Sequence, residues 1–128
     1  MSINKAILIG HLGQNPELRY TSDGTPVCNI SLATSENWKD HDGNTQSRTE
    51  WHRIVFWRRH AEIASQYLKK GSHIYVEGKI QSREYDDPNN PGTKRKAYEI
   101  IANDLRMLDK KSDNNKPDNK PVETSPSV

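Results

Sequence analysis

The sequence predicts an all-β domain with one short α-helix, and three observations carry that prediction. Several segments alternate apolar and polar residues with period two, the signature of half-buried strands. Only one stretch, His60 to Lys70, repeats apolar residues at helical spacing. Turn signals rich in Gly, Pro, Asn and Asp separate these segments. A chain of 128 residues suffices for a single core and a tail.

The first strand is Ile3 to Leu12. Ile3, Ile7 and Ile9 share one face and Ala6, Leu8 and Leu12 the other, so both faces are expected to be covered, one by the barrel and one by another subunit. Asn15-Pro16 and Ser22-Asp23-Gly24 then bracket a short piece from Glu17 to Thr21. From Val27 to Thr34, Cys28, Ile30 and Leu32 alternate with Asn29 and Ser31, a half-buried strand. Asp42-Gly43-Asn44 marks the turn of a long hairpin whose polar tip, Glu36 to Arg48, carries Trp38.

The returning strand, 49 to 57, contains the most informative stretch. Trp51, Arg53, Val55 and Trp57 fall on one face and His52, Ile54 and Phe56 on the other. The second face closes a core, and His52 on it reads as a packed or subunit-interface histidine. Two indoles and a guanidinium on the first suit either a buried interface or an unstacked base with its phosphate. Trp51 and Trp57 lie about 20 Å apart along a strand, so no one base reaches both.

The helix, 60 to 70, places Ala61, Ala64 and Leu68 together and stops at Gly71. A fourth strand, Ser72 to Tyr85, sets Ile74, Val76, Gly78 and Ile80 against Tyr75, Glu77, Lys79, Gln81, Arg83 and Tyr85, with a bend at Gly78. Asp86 to Lys96 reads as a loop ending in Lys94-Arg95-Lys96, and Tyr98 to Leu108 as the last strand. Five strands with the helix between the third and fourth match the plan of an OB-fold, a five-stranded Greek-key barrel. Residues 1 to 109 form this domain. Lys110 to Val128, without aromatics or periodicity, reads as a disordered polar tail.

Composition narrows the function. Net charge is only +2 and hydrophobic residues make up 31%, so a nucleic-acid site must be local and partly aromatic rather than a uniform basic coat. A lone cysteine, Cys28, allows no internal disulfide, and Met1 to Leu12 has no leader pattern. A reducing cytoplasm is the expected compartment. No stretch is long and apolar enough for a membrane span. The five histidines show no metal-ligand spacing and no catalytic triad or phosphate loop is evident, so neither cofactor, metal nor enzymatic activity is expected.

Asn4-Lys5-Ala6-Ile7-Leu8-Ile9-Gly10-His11-Leu12-Gly13, Pro16-Glu17-Leu18-Arg19-Tyr20, Leu32 to Trp38, Thr49-Glu50-Trp51-His52-Arg53, Ala61-Glu62-Ile63-Ala64 and Tyr67-Leu68-Lys69-Lys70-Gly71 occur in this order. Together they closely resemble bacterial single-stranded DNA-binding proteins, through residues 1 to 109. The resemblance implies a homotetramer that wraps single-stranded DNA without sequence preference in replication, recombination and repair, associated with the nucleoid and replication fork. It assigns base stacking to Trp38, Trp51, Trp57 and Tyr85. Trp57 stands where many members have Phe, and Tyr85 where some have Trp.

Arg53 and Arg83 share strand faces with these aromatics, and Lys94, Arg95 and Lys96 lie in a loop that such barrels use for nucleic acid; all five are candidate phosphate contacts. Asp86 and Asp87 next to Tyr85 are expected to repel phosphate. Tyr20, Tyr67, Tyr75 and Phe56 read as structural. Family members commonly end in an acidic tip with a terminal Pro-Phe that recruits other proteins of DNA metabolism, whereas this sequence ends Glu123-Thr124-Ser125-Pro126-Ser127-Val128, so recruitment by that route is not expected. The alternative reading is a replication-restart or primosome accessory module on the same barrel, acting mainly through protein partners; four stacking aromatics argue against it.

Overall fold

The computed structural model describes residues 1–109, and the tail expected from Lys110 onward lies outside the described residues. Six strands and one helix follow one another: β1 (Ala6–Leu12), β2 (Glu17–Tyr20), β3 (Pro26–Lys39), β4 (Thr45–Trp57), α1 (Arg59–Tyr67), β5 (His73–Asp86) and β6 (Lys94–Met107). β1 pairs with both β3 and β5, β5 with β6, β6 with β4 in parallel, and β4 with β3. That circuit closes a five-stranded barrel, the OB-fold plan. The short β2 is a flap on the free edge of β3.

Closure depends on two close backbone approaches. Gly10 lies so near the Ala33 carbonyl that a Cβ would overlap it, and a Cβ on Gly78 would overlap the carbonyl of Ile101. Beside Gly78 the β5–β6 register slips by one residue, leaving Asn103 as the extra residue of a bulge. The bend expected at Gly78 is therefore a junction between two strands.

Inward-facing residues fill the barrel: Cys28, Ile30 and Leu32 from β3, Ile54 and Phe56 from β4, Ile74 and Val76 from β5, and Ile100 and Ala102 from β6. Ala61, Ala64 and Leu68 plug one end. Burial pushes the Cys28 thiol up to about 11. The helix is shorter than the sequence pattern suggests because Leu68 is already extended, and Gly71, at φ 90°, turns the chain toward β5.

The structure corrects several expected boundaries. The β3–β4 hairpin is paired from Val27 and Trp57 out to Lys39 and Thr45, so Trp38 belongs to a strand rather than a loop. Apart from Trp38, its distal residues are polar on both faces and show no alternation, although they pair as regularly as the core-facing part. Lys94, Arg95 and Lys96 likewise open β6, opposite Asp86, Tyr85 and Glu84. Tyr20 and Tyr67 are exposed rather than structural, because Leu18, Ala64 and Leu68 take the inward positions; Phe56 is fully buried.

Candidate nucleic-acid interface

Directly paired residues of neighbouring strands point to the same side of a sheet. Trp51, Arg53, Val55 and Trp57 therefore share the barrel's outer face with Ala33, Ser31, Asn29 and Val27 of β3. Val55 pairs with Ile101 in parallel, which brings Arg95, Ala97 and Glu99 of β6 to the same side. Across β6, Glu99, Ala97 and Arg95 face Gln81, Arg83 and Tyr85 of β5. Three adjacent strands thus place Trp51, Arg53, Trp57, Arg83, Tyr85 and Arg95 on one continuous surface.

Trp51 is 57% exposed and Trp57 is half-buried. Val55, on the same face, is buried, flanked by its paired neighbours Asn29 and Ile101. The Trp51 ring lies across Gly13: a Cβ there would stand 2.5 and 2.7 Å from two ring carbons. Gly13 in turn donates its N–H to the Ser31 carbonyl at 3.0 Å, which fixes the backbone beneath the ring.

The charges on this face are pre-organised by acids. Glu99 is only 9% exposed, and its Oε2 lies 3.3 Å from Arg53 Nε and 3.7 Å from Arg83 Nε. Contact through Nε leaves the terminal nitrogens of each guanidinium available, and that edge can grip a phosphate with two parallel hydrogen bonds. The Arg83 guanidinium also sits over the Tyr85 ring, 5.8 Å from its centroid. Arg95 Nε donates to Asp87 at 2.7 Å, and Lys94 pairs with Asp86 at 2.7 Å. Asp86 and Asp87, expected to repel phosphate, are instead partners of the neighbouring cations. The Arg95 hydrogen bond, with others from the Asn89 N–H and the Asn90 side chain, holds the Asp87 carboxyl below the ordinary carboxylate range.

Not every candidate joins this surface. Trp38 pairs with Gln46, and pairing parity places it on the opposite side of the β3–β4 ribbon from Trp51 and Trp57. Lys94 and Lys96 share a side with Asp86 and Glu84, away from Arg95. Of the expected basic run, one residue in three faces the aromatics. His52 lies on the inward side, within hydrogen-bond distance of the Thr34 hydroxyl at 2.9 Å.

Three contributors were not singled out from sequence. Glu99 was missed because an acid gives no positive signal for a phosphate site. Gly13 was missed because its role is the space it leaves. The third is an open groove of about 400 Å³ beside Arg53, lined by Gln14, Asn15, Asn29 and Ser31 among others; the polar alternation of Asn29 and Ser31 was the signal for it. Asn15 is anchored there, its Oδ1 accepting the Lys70 N–H at 2.9 Å. Amides and hydroxyls of this kind can hydrogen-bond base edges or sugar oxygens. Among the described residues, no three His, Cys, Asp or Glu side chains are placed to hold a metal ion, and no helix is long and apolar enough to cross a membrane.

The model of the Single-strand binding protein family matches residues 3–108. A single-stranded DNA-binding protein of Neisseria meningitidis serogroup A is 54% identical over 114 residues, covering 89% of this chain and 64% of the relative. Single-stranded DNA-binding protein 1 of Xylella fastidiosa is 53% identical over 116 residues, covering 90% of this chain and 84% of the relative. The chain thus spans less than two thirds of the Neisseria protein. Among solved structures, a Plasmodium falciparum SSB in complex with ssDNA superimposes with a TM-score of 0.77 at 35% identity, covering 85% of this chain and 97% of the other. On the family match and these identities, the chain belongs to the single-strand binding protein family.

Proposed function

We propose that this protein binds single-stranded DNA without sequence preference and coats it during replication, recombination and repair, as a homotetramer without enzymatic activity, at the nucleoid and replication fork. The observation that carries this reading is the outer face of β4, β6 and β5, where Trp51, Trp57 and Tyr85 stand among Arg53, Arg83 and Arg95. Aromatic planes accept any base, and each stacked base contributes about 1 to 3 kcal/mol. With a net charge of +2, stacking outweighs bulk electrostatics. The arginines then hold the backbone between the rings, with Lys94, Lys96 and Trp38 meeting the strand where it leaves this face. Residues 1 to 109 carry the whole binding unit. The Plasmodium neighbour, an SSB in complex with ssDNA, supports the choice of ligand.

The test is a tryptophan-fluorescence titration with oligo-dT of graded length at two salt concentrations. Strong quenching is expected with the single strand and a weak response with duplex. The logarithm of the binding constant is expected to fall by about 0.7 per phosphate contact for each log unit of salt. Equal affinity for single strand and duplex would refute the reading.

A further inference from the structure

Among the described residues, the only non-glycine with a left-handed backbone is Arg58, at φ 56° and ψ −123°. These are the angles of the first central residue of a type II′ turn, a position that disfavours any Cβ and that glycine fills without strain. Gly24, Gly43, Gly71 and Gly92 occupy the other positive-φ positions. The fold imposes the conformation: the Arg58 N–H donates to the Pro26 carbonyl at 2.9 Å, and its carbonyl accepts from the Glu62 N–H at 3.1 Å. An arginine here therefore carries a conformational cost that glycine would not.

Among the described residues, nothing offsets that cost. The Arg58 side chain is exposed, makes no capping hydrogen bond and joins no ion pair among the described residues. On the aromatic face, by contrast, Arg53, Arg83 and Arg95 are each tied to a carboxylate. Arg58 directly follows Trp57, the last residue of β4, and on the outward side of that strand Val55 and Trp57, the two positions nearest it, carry no charge. Strain kept at a position without structural benefit marks a functional constraint.

We propose that Arg58 is a phosphate-binding residue of the single-stranded DNA site, held in a strained turn beside Trp57 so that its unpaired guanidinium grips the backbone of the nucleotide stacked on that indole. This rests on the function proposed above. The strain is the consequence of placing a long cation at the one backbone position the turn reserves for glycine.

The experiment compares the full chain with its Arg58→Gly and Arg58→Lys variants by thermal melting without DNA and by oligo-dT titration over a range of salt. Arg58→Gly is expected to melt a few degrees higher, since relief of strain exceeds the extra freedom glycine has when unfolded. It is also expected to bind oligo-dT about three- to tenfold more weakly at low salt, with the salt slope shallower by about 0.7 for each protomer engaged. Arg58→Lys keeps both charge and strain, and retains the wild-type slope. A glycine variant that melts higher but binds with unchanged affinity and slope would overturn the proposal, as would one that melts lower. Failure of the wild-type chain to respond to oligo-dT would instead remove the functional reading, so the two failures are distinguishable.

Discussion

Trp51 illustrates how a single ring is aimed. Period two put it on the outer face with Arg53, and that much was legible in the sequence. What holds it over the first loop is the absence of a side chain at Gly13, and an absence has no periodicity to read. Gly13→Ala places a methyl 2.5 Å from the ring; the ring is largely exposed and can swing away, so the fold loses little, under about 1 kcal/mol. The displaced indole loses part of a stacking contact worth about 1 to 3 kcal/mol. Oligo-dT affinity is expected to fall about three- to tenfold while the urea midpoint barely moves. A large loss of stability with unchanged affinity would show that Gly13 serves the barrel alone. Glu99 makes the complementary point: its value lies in two arginines that arrive from β4 and β5, and that meeting exists only after the parallel β4–β6 pairing forms.

At the scale of elements, strands were legible wherever one face meets the core and the other meets water. Cys28, Ile30 and Leu32 against Asn29 and Ser31 is such a case. Where the β3–β4 ribbon leaves the barrel, both faces meet water and the alternation vanishes, so Glu36 to Lys39 read as loop although they are paired. The same cause hid the start of β6. Seeing the ribbon changes the reading of Trp38, because parity sets it behind Trp51 rather than in line with it. A short oligonucleotide lying on the outer face cannot reach around the ribbon. Trp51→Ala is therefore expected to weaken binding of an octamer of dT by about fivefold or more, and Trp38→Ala to change it less than twofold. With strands long enough to pass both sides, the two variants should converge. Equal losses on the octamer would mean that ribbon twist brings both indoles to one track.

At the scale of the whole molecule, the described residues leave an apolar strip on β1 without cover. β1 is needed to close the barrel, yet Ile7 and Ile9 on its outer side are 55% and 53% exposed, facing Glu77 and Tyr75 of β5. Sequence alone read β1 as apolar on both faces, which was legible because Ala6 and Leu8 interleave with those isoleucines; the single barrel satisfies only one of the two faces. In the assembly proposed above, burying this strip against other copies of the chain would supply the remaining cover. The proposed homotetramer would present four aromatic faces, and a strand bound to one would reach the next at a high effective concentration, raising affinity for long DNA without a new contact. The double variant Ile7→Asp, Ile9→Asp is expected to fall to smaller species by light scattering while keeping the barrel's circular dichroism, since neither residue belongs to the core. Affinity for a short oligo-dT should then stay close to that of the wild type, and the gain that the wild type shows with longer strands should disappear. A wild-type chain that is monomeric at micromolar concentration, or a double variant that keeps the long-strand gain, would separate wrapping from assembly and refute the tetramer.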